Sequence, residues 1–522
     1  MDSIFLSITG GVMLLSLFFT ITPQLHMLQL NSYYNKRFID YLKGAKKGSA
    51  LWSFVFAAAA VLFCFISPFV AMLVTVLTCP VRVARAVYKT KHAKKKIVFT
   101  GRVKRMYATL FVLCLLIGLT ALLPHLFVPL CAAVLCFSPL TAMLLNLINA
   151  PAEYAVRQYY IRDAKKILQS CPDMQIIGLT GSYGKTSTKY ILGRILSEQY
   201  NTLVTPGSFN TPMGIVRTVR EHLKPGTQIF VAEMGAKKTG DIKEICDIVH
   251  PINGILTSIG PQHLNTFGTL DNIIRTKFEL ADAVNEKGGC MYFNFDNPYI
   301  KQKALQSHYR YKSYSTSDPT CDAYAKNIQS SRSGLSFAIV TKDETIPVST
   351  RLLGAHNVLN ILAAVLIALD FGITPDNIHY AVEQLEPYEH RLQLKPFFGG
   401  ALLIDDAYNA NPSGSLEAMR VLGSFYPMTR IAVTPGLVEL GEKEIECNEA
   451  LGAEAAQNAD ILIFVGIERA KPLERGALKS GFPPQNLHIV KTFNDAAQML
   501  RTLCNKETVV LFENDLPDNY AK

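Results

Sequence analysis

A chain of 522 residues is too long for one hydrophobic core, so two or more domains are expected. Its residues are 49% hydrophobic and its mean hydropathy is +0.18, which excludes a disordered chain and is high for a wholly water-soluble enzyme. The formal net charge of +10 owes much to residues 81–106, where Arg82, Arg85, Lys89, Lys91, Lys94, Lys95, Lys96, Arg102, Lys104 and Arg105 stand without an acid among them.

The apolar excess lies before residue 150. Residues 4–21 form a run long enough, at ~1.5 Å per residue, to cross a ~30 Å hydrocarbon core. The leading Met1-Asp2-Ser3 lacks the basic start of a cleavable signal, so a retained anchor is expected. Apolar regions 51–79 and 106–148 follow, the second broken near Pro124-His125 and read as two spans. The first is either one strongly tilted helix or two short spans split at Ser67-Pro68. The flanking loops, 31–49 and from Val81 onward, are both basic, which puts both on the cytoplasmic side. Five spans, or three with a re-entrant hairpin, satisfy that rule, and either leaves everything after Asn149 in the cytoplasm. A basic run can bind nucleic acid, but one wedged between apolar stretches is expected to meet anionic membrane lipids instead. The 11 cysteines contain no CxxC pair and no zinc-like Cys/His spacing, which fits reduced thiols.

After an amphipathic stretch at 151–170, strands and helices alternate. Gln175-Ile176-Ile177-Gly178-Leu179 is a short apolar strand that runs into Thr180-Gly181-Ser182-Tyr183-Gly184-Lys185-Thr186-Ser187 and then a helical segment. A strand, a glycine-bearing turn and a helix start form the setting of a phosphate loop. Glycines let the backbone approach, amides point inward, Lys185 would neutralise the β/γ oxygens and Thr186 would hold Mg2+. Leu179 stands where the full GxxxxGK[ST] pattern has its first glycine, and a helix-start turn with a solvated lysine is the competing reading.

Further segments follow in chain order: Phe209-Asn210-Thr211-Pro212-Met213-Gly214, Val231-Ala232-Glu233-Met234-Gly235-Ala236, Pro261-Gln262-His263-Leu264, Thr276-Lys277-Phe278-Glu279 and Asn294-Phe295-Asp296-Asn297-Pro298. Then come Gly354-Ala355-His356-Asn357 with Asn360, Pro387-Tyr388-Glu389-His390-Arg391-Leu392, and Asp405-Asp406-Ala407-Tyr408-Asn409-Ala410-Asn411-Pro412. Together with the TGSYGKTS loop they resemble the Mur ligases, which extend the peptide of cell-wall precursors. The resemblance covers residues 175–516 and is closest to the MurF type, which adds D-alanyl-D-alanine.

With the apolar runs before residue 150 read as an α-helical transmembrane region at 1–150, the resemblance implies a P-loop-type central ATP-binding α/β domain at 151–386 and a dinucleotide-fold-like C-terminal α/β domain at 387–522. It assigns ATP to Thr180, Gly181, Ser182, Gly184, Lys185, Thr186, Ser187, Asn294, Asn357 and Arg391, and two Mg2+ to Thr186, Glu233 and His263. Lys277 matches a position that carries a carbamate in many members. Lys185, Lys277, His263 and Asp406 are the implied catalytic residues, and Asn210, Thr211, Asp405, Tyr408, Asn409 and Asn411 the implied substrate contacts. Bland readings stand beside these: Glu233 as a loop cap, Lys277 as a surface lysine, and the Asp/Asn-rich turn as a helix cap.

The implied reaction is ATP-dependent amide formation through an acyl phosphate, by a multi-pass bacterial membrane protein with cytoplasmic catalytic domains. Two departures bear on its substrates. Glu513-Asn514-Asp515 replaces a KGS-like basic turn, and spans replace the soluble domain that holds the UDP-sugar. The amine is therefore D-alanyl-D-alanine or another amino acid or dipeptide, and the peptidoglycan precursor is UDP-linked or lipid-linked. The alternative is an ATP-hydrolysing membrane transporter or scaffold that forms no amide.

Overall fold

The computed structural model describes residues 2–44, 61–63, 65–93, 95–262, 264–407, 410–438 and 440–515. The chain divides into two compact units, one built on residues up to Tyr159 and one on Tyr160–Leu516.

The first unit is helical: Asp2–Thr20, Thr22–Leu30, Asn35–Gly44, Pro68–Lys91, Gly101–Gly118, Pro124–Cys136 and Ser138–Gln169. Among the described residues, Asp2–Leu30, Pro68–Lys91 and Gly101–Leu122 are long and apolar enough to cross a membrane. Leu126–Cys136 and Ser138–Gln169, bent by 88°, would make a fourth span. Leu17, Leu25, Met106, Leu110 and Val128 fill the interior, while Ile4, Leu15, Phe65, Leu77 and Leu119 stay exposed. Residues 51–60 of the ambiguous second region lie outside the described residues. Of its remainder, residues 61–63 and 65–66 are helical, and after Ser67 a new helix starts at Pro68, where a missing N–H costs nothing, and continues through Pro80 to Lys91. The basic loop expected from Val81 is thus corrected. Arg82, Arg85, Lys89 and Lys91, good helix formers, extend the apolar helix rather than follow it.

The second unit holds two sheets. The first contains β1 (Gln175–Thr180), β2 (Thr202–Val204), β3 (Ile229–Glu233), β4 (Asn253–Leu256), β5 (Cys290–Asn294), β6 (Tyr311–Ser315), β7 (Ala323–Ser331), β8 (Gly334–Thr341) and β9 (Thr345–Thr350). Its order is β2-β3-β1-β4-β5-β6-β7-β8-β9, parallel as far as β7 and antiparallel beyond. Strands β1 and β3 are apolar runs buried along nearly their whole length, as strands covered on both faces must be. The chain leaves β1 towards one edge of the sheet and β4 towards the other. The crevice at their carboxyl ends is therefore the switch point where such sheets bind ligands.

The second sheet contains β10 (Gln393–Pro396), β11 (Leu402–Asp406), β12 (Thr429–Thr434), β13 (Ile461–Val465), β14 (Leu487–Val490) and β15 (Thr508–Glu513), in the order β10-β11-β15-β12-β13-β14. Only β10 is antiparallel. Asp405 and Asp406 are the last two residues of β11, and Asp406 pairs in register with Glu513 at the end of β15.

Candidate active site

The turn after β1 is held by the end of β4. Ser182 N donates to Ser258 O at 2.8 Å, and Tyr183 N donates to Ser258 Oγ at 2.7 Å. A Cβ on Gly181 would sit 2.0 Å from Thr257 Oγ1, and one on Gly184, at φ +81°, would sit 2.8 Å from Asn360 Oδ1. Both glycines are therefore required by close approach. Lys185, first residue of the helix Lys185–Leu196, folds its Nζ back onto the carbonyls of Gly181 and Ser182 at 2.7 and 3.0 Å. Desolvation pulls it down to about 8, with Glu233 opposing and Arg391 adding to the drop.

Glu233, at the end of β3, is 1% exposed. Its carboxylate accepts from Asn210 Nδ2 at 3.0 Å and from Thr186 Oγ1 at 3.3 and 3.4 Å, and pairs with Lys189 Nζ at 2.9 Å. Burial would raise its pKa, but Lys189, Lys185 and Asn210 outweigh that and hold it below the usual range. The loop-cap reading of Glu233 is set aside by this burial. Lys277 is also buried, with Nζ 3.5 Å from Thr180 Oγ1. Desolvation, reinforced by Lys185, holds its amine well below the ordinary lysine range. It is not a surface lysine.

Lys189 is the residue that sequence reading missed. Its side chain is fully buried, and it donates to Gly207 O at 2.7 Å as well as pairing with Glu233. A lysine in a helix normally reads as solvated. The available signal was its spacing, four residues from Lys185 and so on the same helix face.

Asn294 and Asn357 are turned to structural use. Asn294 Nδ2 donates to Thr257 O at 2.8 Å. Asn357 donates to Leu353 O and accepts from Asn360 Nδ2, and Asn360 Oδ1 accepts from Thr188 Oγ1, buttressing the phosphate loop from behind. Thr211 and Asn411 cap the helices Pro212–His222 and Pro412–Gly423. His263, Tyr408 and Asn409 lie outside the described residues.

In the second sheet, Asp405 Oδ2 meets His390 Nδ1 and Lys395 Nζ, each at 2.8 Å. Burial opposes its ionisation, but these two partners hold its pKa below the usual range. Desolvation raises Asp406 to about 6, against the pull of Arg391. Glu513 does not face outward as an acid in place of a basic contact. It is fully buried, accepting from Ser415 Oγ and, at 3.0 Å, from Thr434 Oγ1, and desolvation pushes it up to about 8. Arg391 lies within electrostatic reach of Lys185 in the first site and of Asp406 and Glu513 in the second.

A phosphate loop with an opposed strand-end acid, joined through one arginine to a second α/β domain with its own acid pair, is the layout of a two-domain ATP-dependent ligase. The Mur ligase middle domain matches residues 179–368, and the Mur ligase glutamate ligase domain matches 390–513. The two segments span more than half of the chain, which belongs to the Mur ligase family. Among its relatives, the UDP-N-acetylmuramoyl-tripeptide--D-alanyl-D-alanine ligase of Bacillus subtilis is 29% identical over 351 residues, 67% of this chain and 75% of the relative. The ligase of that name from Escherichia coli is 29% identical over 60% of this chain and 71% of its own length. Among solved structures, MurF from Acinetobacter baumannii aligns with a TM-score of 0.62 and 27% identity, over 70% of this chain and 78% of its own. MurF from Thermotoga maritima, solved in complex with ADP, gives 0.60 and 26% over 70% and 81%. Ligase-family matches through both α/β domains go against a transporter or scaffold that forms no amide.

Proposed function

We propose that this chain joins D-alanyl-D-alanine to the peptide of a peptidoglycan precursor, using ATP and passing through an acyl phosphate. One observation carries the reading: the phosphate-loop Lys185, the buried acid Glu233 and the neutral-leaning Lys277 converge on the crevice after β1, with Arg391 linking them to Asp406. The names of the Bacillus subtilis and Escherichia coli relatives supply the substrates.

The precursor's terminal carboxylate attacks the γ-phosphorus and ADP leaves. The amine of the dipeptide then attacks the acyl carbonyl and expels phosphate. Lys185, released from the carbonyls of Gly181 and Ser182, would pair with β/γ oxygens and spread the developing charge. Asp406, with a pKa near neutrality, can take a proton from the incoming ammonium. Arg391 couples nucleotide binding to closure, which excludes water from the acyl phosphate.

The donor set fits Mg2+. Thr186 and Glu233 present hard oxygens 3.3 Å apart, and among the described residues there is no group of three or more His, Cys, Asp or Glu to form an all-protein cage. That suits an ion that keeps waters and leans on substrate phosphates. When bound it would neutralise phosphate charge. Burial favours the uncharged form of the Lys277 amine, the form that carbamate formation requires, and intact mass measured with and without bicarbonate tests for the modification.

We extend the proposal to the first unit as a membrane anchor, with the catalytic unit on the cytoplasmic face and anionic lipid beside the basic helix ends. Its long apolar helices and exposed apolar faces support this. The test is ADP release and amide formation with UDP-linked and undecaprenyl-linked tripeptide precursors compared. Product from one identifies the acceptor, and product from neither rejects the proposal.

A further inference from the structure

Arg391 sits between two residues whose backbones are left-handed although neither is glycine: His390 at φ +58° and Leu392 at φ +46°. For a bulky residue such as Leu this is an outlier that surrounding structure must enforce. The enforcing groups are the two acids that end β11. Asp405 Oδ2 holds His390 Nδ1 and Lys395 Nζ at 2.8 Å, and Asp405 Oδ1 accepts from Ala407 N at 3.3 Å. Asp406 Oδ1 accepts from Leu392 N at 3.2 Å, while the Leu392 side chain is buried beside Gly354. The antiparallel register brings this about, since Gln393 pairs with Asp405 at the start of β10.

We propose that Asp405 is a positioning residue, which through His390 fixes the strained turn that aims Arg391 at the nucleotide, rather than a contact to the substrate. The inference rests on the proposed nucleotide role of Arg391. Three of this carboxylate's roughly four acceptor positions are taken up within its own chain, by His390, Lys395 and the backbone N–H of Ala407. Among the described residues, His390 also pairs with Glu389, 3.6 Å from Nε2, on the same turn.

The test uses full-length protein in detergent, with ADP and Mg2+ as the probe, reading Kd by calorimetry and Tm alongside. Glycine relieves left-handed strain but cannot reach Asp405, whereas asparagine tolerates that backbone and can still donate. His390→Gly should weaken ADP by ~10-fold with Tm no lower than wild type, a typical size for loss of a supporting partner, and His390→Asn should recover most of it. Wild-type Kd in His390→Gly overturns the proposal, as does weakening that His390→Asn fails to rescue. Arg391→Ala separates the layers. If it leaves Kd unchanged, the nucleotide role of Arg391 fails; if it weakens ADP while His390→Gly does not, only the positioning role of Asp405 fails.

Discussion

Glu233 at the end of β3 and Glu513 at the end of β15 hold equivalent places in the two sheets, each closing a parallel strand and each buried. Around Glu233 stand Lys189, Lys185 and Asn210, which keep it ionised. Around Glu513 stand two hydroxyls and a second carboxyl, Asp406, with Arg391 the opposing charge, and desolvation prevails. Position in a fold therefore does not set protonation; the neighbours supplied by the next helix and loop do. In the proposed reaction, one crevice would serve phosphate and cation, the other proton exchange with an amine.

The comparison can be broken most sharply at Lys189. Lys189→Met leaves Glu233 buried without its cation and should destabilise the protein by about 3–5 kcal/mol in denaturant unfolding. A loss under 1 kcal/mol would mean that Glu233 simply takes up a proton and that the two strand ends are alike. Lys185→Ala should lower the rate of ADP formation by about 100- to 1000-fold, as removal of one charge-stabilising donor does. A rate within twofold of wild type removes the first crevice from the chemistry.

Glu513 sharpens the other side. Its folded pKa of about 8 lies above the ordinary 4.5, so its contribution is fully present below pH 4.5 and lost as pH rises through 8. The span corresponds to on the order of 5 kcal/mol. Glu513→Gln should flatten the fall in stability between pH 5 and about 8, read as Tm against pH. The smallest effect is expected at Asn411, whose side chain accepts from Gly414 N as a helix cap. Asn411→Ala should cost about 1 kcal/mol whether or not the residue also meets substrate.

The apolar run of β1, the glycine turn and the following helix were plain in the sequence, and so were the strand-end acids Glu233, Asp405 and Asp406. Fold class follows from such local patterns because parallel strands covered on both faces must be continuously apolar. The meander β7-β8-β9 and the short strands β10 and β14 escaped notice. In β9, Thr345–Thr350, burial does alternate, but its apolar residues are few and interrupted by Pro347. Lys189, marked only by its spacing from Lys185, and the inward turn of Glu513 were missed for another reason. Both are ordinary surface residue types whose burial is decided by partners distant in sequence, such as Glu233 for Lys189 and Thr434 for Glu513. Conversely, Asn294 and Asn357 were legible as motif members, yet the structure spends their amides on the chain itself.

The outward faces of the first unit carry a practical consequence. Leu122 is 92% exposed, and Leu15, Leu77 and Leu119 keep similar company. Apolar surface on that scale drives self-association in plain buffer. With the first unit acting as the proposed anchor, purification would call for a micelle or nanodisc, and turnover in the native membrane would be governed by how densely molecules populate a two-dimensional sheet rather than by bulk concentration.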